Sequence, residues 1–197
     1  MKIYDISQPV FGCKVYSGDP APQKKVICSI ESGDLYNLTE FSMCAHNGTH
    51  IDAPAHFLKG GKTVDEIPLE KTVGYCFVCE FNGYLLDTHA KSILQHINKI
   101  SKNGASRLLF KGETIITEQS ASFFASQNIM LIGVESQSVG DENAPKKVHE
   151  ILLEKGVVLL EGLVLENVLE GEYFLCAQSL NLNGVEGAPC RAILIEN

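Results

Sequence analysis

No apolar run in this 197-residue chain approaches the ~18 residues that a membrane-crossing helix needs, so a helical membrane span is not expected. Basic residues are scarce: 16 Lys and Arg stand against 24 Asp and Glu, a net charge of −8. Affinity for nucleic-acid backbones comes largely from Lys and Arg, so no nucleic-acid partner is expected either. Met1-Lys2-Ile3-Tyr4-Asp5 opens into a strand-like pattern without the apolar core of a signal peptide, and the expectation is a cytoplasmic location. No low-complexity linker or internal repeat divides the chain, so residues 1–197 read as one domain. A second CxxC to complete a zinc knuckle with Cys76-Phe77-Val78-Cys79 is also missing. In the strand-like run Tyr75 to Phe81, residues three apart face opposite sides. That pair therefore reads as core packing, and the seven scattered cysteines as buried reduced thiols.

What the chain does contain is an alternation of strand and helix signals. Strands are expected over Lys2 to Ser7, Lys24 to Ile30, Leu35 to Cys44, Gly74 to Phe81, Leu108 to Phe110, Ile129 to Val134, Val157 to Leu160, Tyr173 to Gln178 and Arg191 to Ile195. Helical spacing runs from Thr88 to Lys102 and from Ala144 to Lys155, and Thr117 caps a helix reaching about Ser126. Thr63 through Glu66 fits a capping box before Pro68. Leu180 to Cys190 reads as a glycine-rich loop. The alternation argues for α/β layers.

The chemistry concentrates in His46 to Phe57, HNGTHIDAPAHF, which carries three histidines and an aspartate. Asn47-Gly48 signals a turn, and from Thr49 the β-branched residues favour an extended course up to Pro54. Side chains two apart in an extended segment share a face, so His50, Asp52 and His56 should point together, with the turn folding His46 back to join them. Imidazole nitrogen and carboxylate oxygen both ligate divalent transition metals, and three ligands leave coordination positions open. His89 and His96, seven apart on one helix, have no carboxylate at ligand spacing and read as solvated. Read without further context, His149 on its helix and Glu161 at a strand end are each more often simply solvated.

The segment matches, residue for residue, the HxGTHxDxPxHF motif of the cyclase family of metal-dependent hydrolases, which includes the bacterial kynurenine formamidases. The resemblance extends from Tyr4-Asp5-Ile6-Ser7 to Gly187-Ala188-Pro189-Cys190-Arg191-Ala192. It implies a compact α/β domain with a swivelling β/β/α arrangement of sheets, assembled as a homodimer or higher oligomer. It also implies two divalent ions, zinc or manganese. One would take His46, His50 and Asp52, the other His149, with Asp52 and Glu161 bridging and a small helix following through Asn167. His56 would be the general acid/base for attack by metal-activated hydroxide on a small amide or ester. The N-formyl arylamine of tryptophan breakdown is the first substrate candidate; isatin-type cyclic amides and lactones compete, as does a non-enzymatic metal-binding role. Tyr16 and Ser17 stand where the family usually has a tryptophan and a proline, leaving Tyr16 as a candidate pocket residue. In the loop Glu135 to Gly140, Glu135 keeps a carboxylate at a pocket segment, while Gln137 and Gly140 replace the usual proline and aspartate.

Overall fold

The computed structural model describes residues 1–104, 106–141 and 144–196. In chain order the strands and helices are β1 (Lys2–Asp5), β2 (Gln23–Cys28), β3 (Leu38–Ser42), β4 (His50–Asp52), β5 (Val73–Glu80), β6 (Gly83–Leu85), α1 (Asp87–Ile100), β7 (Arg107–Lys111), β8 (Thr114–Ile116) and α2 (Glu118–Ala125). There follow β9 (Leu131–Val134), α3 (Pro145–Glu154), β10 (Val158–Glu161), β11 (Gly171–Cys176), β12 (Gly187–Pro189) and β13 (Ile193–Glu196).

Nine strands form one mixed sheet in the order β1-β13-β11-β5-β7-β9-β10-β4-β12, with β5, β7, β9 and β10 mutually parallel at its centre. These four are near-continuous apolar runs because both of their faces are buried. Along β5, Cys76 and Val78 enter one core cluster while Phe77 and Cys79 enter the other. The CxxC cysteines thus lie on opposite faces of the sheet, as strand alternation predicts. Burial pushes the Cys76 thiol up to about 12 and raises that of Cys79.

The three helices cover only one face. Ala90, Leu94 and Ile97 of α1, Ala121 and Phe124 of α2, and Val148 and Leu152 of α3 pack there on Phe77, Phe110, Ile132 and Leu159. On the other face the sheet curls upon itself, so that Ile51 of β4 and Leu194 of β13, from opposite halves of the strand order, share one cluster. An antiparallel bridge between Ser7 and Leu163 and the bond from the Val164 amide to the Ile6 carbonyl (3.0 Å) close the curl. The layers are therefore sheet, sheet and helices, the α/β arrangement expected.

Two further pairs lie outside the main sheet, β2 with β3 (antiparallel) and β6 with β8 (parallel). Three elements were not expected from sequence: β6, β8 and β12, each of three residues. β12 occupies part of the stretch read as a loop, and its Pro189 sits on the strand at the sheet edge, where the missing N–H does no harm. The small helix expected after Glu161 is not formed. Leu163 bridges to Ser7 and only a turn occurs at 166–167, because this stretch is spent closing the sheet.

Candidate metal centre

β4 lies between β10 and β12, and its register places Glu161 opposite His50, and Leu159 opposite Asp52. His50 and Asp52 alternate with Ile51, which faces the inner core, so both ligand candidates project from the helix-covered face. The turn before them is real: the Asn47 amide bonds the Cys44 carbonyl, and Gly48 takes φ +65°, which only glycine adopts freely. It folds His46 back until its Nδ1 is 2.8 Å from Asp52 Oδ1.

His56 reaches the site by a different route from the one expected. The extended course ends at Asp52, and Pro54 opens a 3₁₀ turn through His56 that swings the ring back over the site. His56 stacks on His46, with ring centroids 4.0 Å apart at 25°, and its Nε2 lies 4.0 Å from Asp52 Oδ2.

The remote pair converges as well. His149, on α3, presents Nε2 at 3.3 Å from Glu161 Oε1 and 3.6 Å from Asp52 Oδ2. His50 Nε2 lies 3.4 Å from Asp52 Oδ1 and 3.3 Å from Glu161 Oε2. Each carboxylate thus turns one oxygen to each side. Two groups of metal-ligand geometry result, His46-His50-Asp52 and Asp52-His149-Glu161, which share Asp52.

The residues fit divalent ions on several counts. His50, Asp52, His149 and Glu161 are at most 2% exposed, a degree of burial that charged groups avoid unless paired or metal-bound. His46 Nε2, His50 Nε2 and Asp52 Oδ2 are buried without a hydrogen-bond partner. Ring orientation fits too: His50 Nδ1–H donates to the Gly48 carbonyl (2.9 Å) and His149 Nδ1–H to that of Pro145 (2.8 Å), which frees both Nε2 atoms toward the carboxylates. The Val139 amide donates to Glu161 Oε1 at 2.8 Å and fixes that side chain.

The electrostatics are those of a concentrated negative site. Burial would lower the pKa of His50, but the hydrogen bonds and charges of Asp52 and Glu161 outweigh it and push it up to about 10. Burial likewise opposes, and Glu161 and Asp52 prevail, in raising that of His149. Asp52 is held well below the carboxylate range: its burial is overcome by His46 and His50. His56 differs, since burial outweighs Asp52 and lowers its pKa.

Comparison with known proteins decides the family. The family model Cyclase ("Putative cyclase") matches residues 4–141. The chain belongs to the cyclase family. A kynurenine formamidase of Polaromonas naphthalenivorans (strain CJ2) is 32% identical, covering 100% of this chain and 92% of its own length. One from Salinibacter ruber is 31% identical over 98% of this chain and 97% of its own. A solved structure described as a potential metal-dependent hydrolase with cyclase activity is 30% identical, with a TM-score of 0.81 over 98% of this chain and 96% of that one. Isatin hydrolase A from Labrenzia aggregata shares the fold, with a TM-score of 0.83 at 20% identity over 100% of this chain and 94% of that one.

Within this cyclase-family chain the other candidates fall elsewhere. His89 and His96 are exposed on α1 and belong to neither ligand group. Tyr16 lines a cleft of about 1370 Å³ that also takes in Gln8, Cys13, Glu135 and Gln137 but none of the ligand-group residues. Gly162 is tightly enclosed beside Glu161: a Cβ there would meet the Gly48 carbonyl, which holds His50, and the side-chain amides of Gln137 and Gln8. Glu135 is engaged structurally, accepting from the Gly112 and Leu165 amides at 2.7 Å each. Glu186, whose Oε1 is 3.4 Å from His46 Nε2, escaped the sequence reading because β12 itself did.

Proposed function

We propose that the chain is a divalent-metal-dependent hydrolase cleaving the C–N bond of a small amide, of the arylformamidase type that its kynurenine formamidase relatives name. An N-formyl arylamine, as in tryptophan breakdown, is the substrate class that fits first. The observation that carries this reading is the pair of buried ligand groups sharing Asp52, with His56 at their edge. His46, His50 and Asp52 would hold one ion and His149 the second, with Asp52 and Glu161 between them; zinc and manganese both suit nitrogen and oxygen donors. Such ions supply Lewis-acid polarisation of a carbonyl and make water acidic enough to attack at neutral pH.

The chain's own residues do the rest. Asp52 and Glu161 would offset the positive charge of bound divalent ions. The His56 side chain is 29% exposed, against 1% to 3% for His50, Asp52, His149 and Glu161, so it meets both the buried site and an incoming substrate. Its lowered pKa leaves it neutral near pH 7, ready to take a proton at Nε2 and return it to the leaving nitrogen. Tyr16 is proposed as a wall of the neighbouring cleft, reached by longer substrates. Assembly as a homodimer or higher oligomer is supported by the β2–β3 hairpin, where Val26, Ile27, Leu38 and Phe41 are exposed.

Chelated protein reloaded with zinc or manganese should hydrolyse formyl-anilides from a panel that also holds isatin and lactones. Elemental analysis should find close to two ions per chain, with Glu161→Gln lowering occupancy and His96→Gln leaving it intact. Preference for isatin or a lactone would move the substrate within the family, and metal without turnover would indicate a binding protein. No bound metal, with no thermal stabilisation on adding either ion, would sink the proposal.

A further inference from the structure

The three histidines of the centre do not present themselves alike. His50 and His149 both donate through Nδ1 to backbone carbonyls and turn Nε2 to the carboxylates. His46 is reversed: Nδ1 faces Asp52 Oδ1 at 2.8 Å, and Nε2 is buried without a hydrogen-bond partner. A histidine that ligates through one nitrogen almost always donates the N–H of the other to a carboxylate, carbonyl or water, which sets tautomer and ring angle. The oxygen standing there is Glu186 Oε1, 3.4 Å away, on a side chain 44% exposed and able to close that distance by rotating.

Backbone geometry holds Glu186 in that place. Its carbonyl accepts from the Ala53 amide at 2.9 Å, and the next residue, Gly187, pairs with Asp52 in the β12–β4 ladder. The His46 ring lies so close to this strand that a Cβ on Gly187 would be 2.6 Å from its Cε1. His56 stacks on the same ring. Gly187 and His56 pack against the ring, His50 meets it edge-to-face with centroids 5.1 Å apart, Asp52 stands at Nδ1, and Glu186 stands at Nε2.

We infer that Glu186 is a positioning residue: it accepts the Nε2–H of His46 and so commits His46 to bind metal through Nδ1. This rests on the metal-dependent reading above and adds to it a residue outside both ligand groups. Because Glu186 reaches solvent, it can do this without adding a third buried negative charge to Asp52 and Glu161.

The test is competition of the full-length protein against a chromophoric chelator for zinc, together with NMR of the zinc-loaded protein labelled with ¹⁵N-histidine. Loss of such an outer partner typically weakens metal affinity ~10- to 100-fold, and Glu186→Ala should weaken the ion taken by His46, His50 and Asp52 by that factor. Glu186→Gln keeps an acceptor oxygen and should recover most of the affinity. Glu118→Ala, which removes an exposed carboxylate belonging to neither ligand group nor the Tyr16 cleft, should change nothing. The spectra should show His46 protonated at Nε2 and metallated at Nδ1. His46 metallated through Nε2, wild-type affinity in Glu186→Ala, or an equal loss in Glu118→Ala would each overturn the inference while leaving the metal centre standing. A wild-type chain that binds no zinc would overturn both.

Discussion

At the scale of single residues, His56 is distinguished from its neighbours by exposure and by the sign of its pKa shift. His50 and His149 are raised by the carboxylates they face, whereas His56, 4.0 Å from the nearest of them, is lowered by burial. His56→Ala should therefore keep its metal while kcat falls by the ~10² to 10⁴ typical of a lost general acid/base. The same experiment on His50→Ala should lose metal and activity together; metal loss in His56→Ala would make it a ligand instead. The motif was legible because its geometry is local: a glycine turn and a three-residue strand decide where His46, His50 and Asp52 point. His149 and Glu161 were legible only through the family resemblance, since their convergence depends on where α3 packs and on the register of β10 against β4. Glu186 carried no signal at all, because an acidic residue before Gly-Ala-Pro reads as loop until β12 is seen to pair with β4.

At the scale of elements, the strands read most surely were those that bury both faces, where composition and location coincide. The three-residue strands β6, β8 and β12 have no pattern long enough to show a period; their neighbours impose them. The turn after Glu161 is set likewise by the Ser7 bridge. The β2–β3 hairpin is the converse case, read correctly as a pair yet exposed at every strand residue but the half-buried Cys28. Phe41 leans edge-to-face on Phe11, with centroids 6.3 Å apart, and both rings remain exposed. Two-stranded hairpins are marginal in water without a covering layer. Light scattering should report a dimer or larger assembly at micromolar concentration, and Val26→Asp with Phe41→Asp should shift it to monomer; a monomeric wild type would reject that role.

At the scale of the whole molecule, the charge of the centre ties stability to pH. Unfolded, His50 titrates near 6.5; folded without metal, it titrates near 10. The stability it contributes is thus complete below about 6.5 and lost as pH rises through about 10. The Tm of chelated protein should fall across that interval, and that of zinc-loaded protein should fall less, since the ions take over the protons' role. Coincident profiles would show that the two forms do not differ in this way. The ligand groups also join parts of the chain that are remote in sequence: the turn at 46–52, helix α3 and the end of β10. Metal held there would act as a removable rivet, fastening an N-terminal segment to a C-terminal one in a chain whose cysteines are all free thiols, only Cys76 and Cys79 of them buried as expected. A site that draws on all three parts is complete only late in biosynthesis, because at least 161 residues have to leave the ribosome before Glu161 can join it.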